Sequence, residues 1–103
     1  MKNINMRDLT TALIAKGYTA RYEMTGGNCG TIYLYHQEAD KFGEVFLAIG
    51  PSDFTTGEAN SEELNWGTIE TDEDEGESAY FDEDNGIEFN VENVADAIDD
   101  WQI

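Results

Sequence analysis

Apolar positions near the amino terminus recur at helical spacing. Met6, Leu9 and Leu13 share one face of a helix predicted over Met6–Lys16, with Asn5 placed to cap it and Gly17 to stop it. From Tyr18 the period changes to two. Tyr18–Met24 alternates as a strand, Thr25-Gly26-Gly27-Asn28 carries turn chemistry, and Thr31–His36 reads as a second strand. A loop around Asp40–Gly43 leads to a third strand, Glu44–Ile49. Gly50-Pro51 is expected to end it, because proline cannot donate to a ladder. Residues 51–65 read as a polar loop with room for one helical turn at Ser61–Leu64, Trp66–Thr71 as a fourth strand, and Asp72–Glu77 as an acidic loop. Ala79–Phe81 and Gly86–Phe89 are expected to pair across Asp82–Asn85, with Asn85-Gly86 as the turn dipeptide. Asn90 then caps a closing helix that carries Val91, Val94, Ile98 and Trp101 on one face. This order predicts the α+β class: an antiparallel sheet of four to five strands flanked by an N-terminal and a C-terminal helix. No internal repeat interrupts it, and residues 1–103 are expected to form one domain.

Charge changes the picture. Five basic residues face 23 acidic ones, a net charge of −18, where a small domain is comfortable at a magnitude of about 2–8. The bases Lys2, Arg7, Lys16, Arg21 and Lys41 all precede residue 42, and with four acids they leave that part at +1. Residues 42–103 hold the other 19 acids and no base. Self-repulsion on this scale opposes compaction, so the charge is expected to serve a purpose. The hydrophobic content of 40% is too high for a chain disordered throughout. Cys29 is the lone cysteine, which excludes an intramolecular disulfide scaffold. The first residues lack the apolar run of a signal peptide, no stretch approaches the ~18 apolar residues of a membrane span, and anionic lipid would repel the acids. The expected compartment is the cytoplasm.

The candidate chemistry is mostly anionic. His36, the single histidine, lies in an apparent strand and reads as a structural or surface residue rather than a general base. Cys29 follows glycines in a turn with no evident group to lower its pKa, and nothing singles out a Cys29–His36 nucleophilic pair. No enzyme activity and no cofactor are expected. Calcium is the metal alternative, since acidic loops supply oxygen ligands. The EF-hand register fails, however: Gly76 falls one position early after Asp72 and Asp74, and using Gly86 puts Phe81 at the first ligand. An irregular divalent site between Asp72 and Asp84 stays open as an alternative. The strongest signal is Glu70, Asp72, Glu73, Asp74, Glu75, Glu77, Asp82, Glu83 and Asp84, nine acids in fifteen residues. Folded back as a hairpin they would present one carboxylate per ~2.6 Å over roughly 23 Å, against one phosphate charge per ~1.7 Å of duplex axis. The last helix adds Glu92, Asp96, Asp99 and Asp100, with no base three or four residues away. Asp99 and Asp100 stand at the unfavourable end of the helix dipole. These thirteen acids are the expected partner-binding residues. Trp66, Tyr80, Phe81 and Phe54 are candidate apolar anchors, with Trp66 and Phe81 expected in the core.

In size, charge and α+β outline the chain resembles the small acidic inhibitors made by phages and mobile elements, including DNA-mimicking anti-CRISPR and anti-restriction proteins. Asn3-Ile4-Asn5, Asp8-Leu9 and Lys16-Gly17-Tyr18-Thr19 look like the start of a Cas9-inhibiting anti-CRISPR of the acidic kind, a likeness confined to about the first fifth of the chain. The resemblance implies a mechanism rather than a set of residues: acids occupy a nucleic-acid or PAM-reading site rich in Arg and Lys. The expected partner is a basic nucleic-acid-binding protein such as a CRISPR effector or restriction nuclease, with no direct binding to nucleic acid or membrane. The alternatives are a divalent-cation module and an acidic module for another basic partner.

Overall fold

A computed structural model describes residues 2–38, 41–68, 76–82 and 86–102. A short strand, β1 (Asn3–Asn5), runs straight into helix α1 (Met6–Ala15). Asn5 caps the helix: its side-chain oxygen accepts from the backbone N–H of Arg7 at 2.9 Å and of Asp8 at 3.0 Å. Gly17 ends it with φ +102°. Its N–H reaches the Ile14 carbonyl and that of Tyr18 reaches Leu13, the paired bonds that satisfy a helix C-terminus. Met6, Leu9 and Leu13 are fully buried, as their spacing requires.

Strands β2 (Thr19–Gly26) and β3 (Cys29–Glu38) form a hairpin. Gly27 and Asn28, both at positive φ, make the two-residue turn whose twist suits antiparallel strands. The third long strand, β4 (Lys41–Asp53), corrects the expected stop at Gly50-Pro51. Ile49 pairs with Ile32 and Ser52 with Gly30, so two residues of β4, Gly50 and Pro51, lie opposite one of β3. The proline sits in a bulge, where the ladder asks for no donor, and the strand runs on past it.

Residues 51–65, expected as loop, hold a further strand, β5 (Glu58–Asn60), which pairs with β1 and meets β4 at Asp53. A single turn follows it, Asn60 accepting from the N–H of Glu62 and Glu63 and burying Leu64. Strand β6 (Asn65–Thr68) pairs with β4, and β7 (Ser78–Tyr80) pairs with β6. The expected pairing of 79–81 with 86–89 is therefore wrong. Ala79 lies opposite Trp66, and residues 86–89 form no strand. Phe81 and Phe89 meet instead as side chains, edge to face at 5.5 Å, and both are buried. Helix α2 (Val91–Gln102) closes the fold, Asn90 accepting from Asn93 N–H at 2.8 Å.

Among the described residues the sheet has seven strands, more than the four to five expected, in the order β1-β5-β4-β3-β2 with β6 and β7 branching from β4. All pairings are antiparallel. The α+β class and the two flanking helices stand. Both helices press on one face, where Leu9, Leu13, Val94 and Ile98 share a core with Ile32, Leu34, Leu47, Ile49 and Trp66. None of the described helices is long and apolar enough to cross a membrane.

Candidate protein-interaction surface

The carboxylates of α2 are arranged by its period. Glu92, Asp96 and Asp100 are four residues apart and exposed, so they form a stripe with a rise of about 6 Å per step. The inward face holds Val94, Ala95 and Ile98. Asp99 lies between the two faces and is half-buried: the Tyr18 hydroxyl donates to it at 2.5 Å. Burial and then this bond push the Tyr18 phenol up to about 12. Asp96 is held by Lys16 at 2.5 Å, and the Lys16 ammonium is raised chiefly by that bond, against desolvation, with a further lift from the charges of Asp96, Asp99 and Asp100. The four helical acids thus divide. Glu92 and Asp100 project freely from the stripe, whereas Asp96 and Asp99 also tie α2 to the α1 end. Spacing along the helix could not reveal this, because both partners lie some eighty residues away in sequence.

The fold brings one distant acid to this stripe. A groove of roughly 390 Å³ runs between β7 and α2, with Asp82 on one wall and Asp100 on the other. Its floor and walls are otherwise apolar: Trp66, Ala79, Phe81 and Ala97, with Ile87 and Trp101 at the sides. Tyr80 stands at its edge, 71% exposed, and Ile87 is 49% exposed. Trp66 is 2% exposed, and its Nε1 is buried with no hydrogen-bond partner among the described residues. Leaving such a donor unpaired costs about 1–3 kcal/mol. Trp66 and Phe81 belong to the core, as expected, while Tyr80 is the exposed aromatic of the set. Phe54 packs elsewhere, 5.1 Å from Tyr22, with the Arg7 guanidinium over both rings. Ile87, expected in a hairpin strand that does not form, is not marked as a surface residue by the sequence pattern.

Of the thirteen expected contact acids, Glu77, Asp82, Glu92, Asp96, Asp99 and Asp100 are placed. Glu70, Asp72, Glu73, Asp74, Glu75, Glu83 and Asp84 lie outside the described residues, and with them most of the acids of the alternative calcium segment Asp72–Asp84. Glu77 is exposed and uses its backbone to hold Thr68, whose N–H donates to its carbonyl at 2.8 Å. Among the described residues no three His, Cys, Asp or Glu side chains gather to hold a metal ion. Cys29 and His36 lie seven residues apart on β3, about 23 Å along an extended strand, so they form no nucleophilic pair. His36 is exposed and stacks on Phe46 at 4.6 Å. No family model matches the chain, and no curated protein or solved structure matches it significantly.

Proposed function

We propose that this protein is a non-enzymatic inhibitor that presents an acidic face to the nucleic-acid-binding surface of a basic protein, in the manner of DNA mimicry. A bacterial defence nuclease of the CRISPR or restriction type is the target that the sequence resemblance favours. The observation that carries the reading is spatial. Asp82, from the acidic segment, and Asp100, from the last helix, line one groove, and Asp100 ends the exposed Glu92–Asp96–Asp100 stripe. They belong to a part of the chain with 19 acids and no base. A basic groove that binds nucleic acid gains affinity by displacing counterions from phosphates, and a fixed row of carboxylates draws on the same attraction. Charge of one sign on one side also steers encounter, so the association rate is expected to be high at low salt.

The test is capture from a bacterial lysate at low ionic strength, followed by association kinetics with the captured protein over a salt series. The expected result is a complex that weakens steeply with salt, chiefly through its on-rate. Affinity that stays flat from low to high salt would make the contact mainly apolar and would refute mimicry.

A further inference from the structure

The geometry points to the groove between β7 and α2 as a docking site for an arginine flanked by an apolar side chain on a segment of the partner, an inference that rests on the acidic-face reading above. The groove combines two features that ordinary surface acids lack. Its interior is apolar, with Ile87 and Trp101 at its sides and Tyr80 exposed at its edge. Its two walls carry Asp82 and Asp100. An apolar side chain laid on the floor removes Ile87 and Tyr80 from water, while a guanidinium beside it meets a carboxylate and stacks on the indole of Trp101. Arginine suits this better than lysine, because its planar fork binds carboxylates in two bonds and stacks on rings. Charge decides against other occupants. A phosphate-bearing ligand or an anionic lipid is repelled by both walls, and a second copy of the chain brings another −18.

The test uses three blocked pentapeptides with the intact chain at low salt: Gly-Arg-Leu-Arg-Gly, Gly-Arg-Gly-Arg-Gly and Gly-Glu-Leu-Glu-Gly. Binding is followed by tryptophan fluorescence and by the indole N–H resonances of Trp66 and Trp101. The Arg-Leu-Arg peptide is expected to bind about tenfold more tightly than Arg-Gly-Arg, the effect of burying one leucine side chain, and to move the Trp66 resonance. The Glu peptide is expected not to bind. Asp100→Asn should weaken Arg-Leu-Arg about threefold, the scale of an exposed ion pair. Ala97→Leu, which fills the floor, should remove the preference for leucine. Ile87→Ser should do the same from an exposed position where folding is not at risk. Equal binding of the two arginine peptides, unchanged by Ala97→Leu and Ile87→Ser and released by salt, would overturn the groove while leaving the acidic-face reading intact. Failure of both arginine peptides to bind at low salt would overturn the groove and count against that reading as well.

Discussion

Asp99 and Asp100 are neighbours in the last turn of α2, carry the same charge, and should respond differently to its removal. A carboxylate at this end of a helix costs about 0.3–1 kcal/mol against the dipole, and neither acid has a base in that turn, while Lys16 across the seam attracts both. Asp100 projects to solvent at the groove. Asp100→Asn therefore removes a cost and is expected to stabilise the fold by about 0.3–1 kcal/mol, of the order of 2–5 °C in Tm for a domain of this size. Asp99→Asn relieves the same cost but weakens the 2.5 Å bond from Tyr18. A hydrogen bond to a charged acceptor contributes about 1.5–3 kcal/mol and a neutral one about 0.5–1.5, so about 1 kcal/mol is lost. The loss matches or exceeds the gain, and Asp99→Asn should leave Tm unchanged or lower. Thermal unfolding followed by circular dichroism at low ionic strength measures both, since salt would screen the dipole effect. In a Tyr18→Phe background the bond is absent, and Asp99→Asn should then stabilise as Asp100→Asn does. Equal shifts of the two single variants, within about a degree, would refute the assignment of Asp99 to the α1–α2 seam. On the docking side the ranking is distinct: Asp100→Asn should bind a basic partner less well while being the more stable protein, the opposition expected of a residue kept for function.

Three further outcomes follow from other parts of the fold. Tyr18 and Tyr35 are both pushed up to about 12, by burial first and then by hydrogen bonds to Asp99 and Glu23. Their unfolded phenols titrate near 10, so the stability they contribute is complete below pH ~10 and is lost as pH rises toward 12. Denaturant midpoints across that window check the sign, and a midpoint that rises there would contradict it. Gly30→Ala should destabilise by about 1–3 kcal/mol. A methyl at that position lies 2.5–2.7 Å from the Tyr22 ring and hydroxyl, and moving Tyr22 breaks the 2.8 Å bond it shares with Ser52. Chemical denaturation measures the loss, and a neutral substitution would mean that Tyr22 has another place to go. Millimolar calcium should raise Tm little more than a monovalent salt of equal ionic strength, because the EF-hand register fails. A saturable micromolar isotherm by calorimetry would replace mimicry with cation binding.

The helix ends and the first hairpin were legible because each depends on a local signal: Asn5, Gly17 and Asn90 at the caps, Gly27-Asn28 in the turn. What the sequence concealed depends on partners distant along the chain. Strands β1 and β5 are three residues each, with one buried apolar side chain apiece, Ile4 and Ala59, which is too little pattern to mark a strand. They exist because each completes the other's ladder. The expected 79–89 hairpin had a suitable turn dipeptide, but β6 already offered an edge to Ser78–Tyr80, and Phe81 and Phe89 are buried without pairing their backbones. The candidate site shows the same limit. Its acids were evident by count, while the groove between Asp82 and Asp100 required knowing that β7 lies beside α2.

The bases, confined to the first part of the sequence, alter where the acidic face is strongest. Lys16 reaches Asp96 and Lys2 reaches Glu88 at 3.5 Å, so in both cases a residue of the near-neutral part neutralises an acid of the anionic part. Exposed pairs of this kind contribute little to stability, about 0–1 kcal/mol, and their larger effect is on the charge map. Beyond Asp96, Lys16 also interacts with Asp99 and Asp100, the acids at the groove end of α2, so its charge offsets that end. Asp100 in turn has a second acid across the groove in Asp82. Lys16 therefore moderates the negative charge at the groove end of α2. A partner drawn by charge is brought to the one part of the acidic face that also has an apolar floor. Reversing Lys16 to Glu should speed association and tighten the hold on arginine at the groove, as read from the salt-series kinetics and the arginine peptides. A neutralised Glu92 should change neither the peptide preference nor the position of the contact.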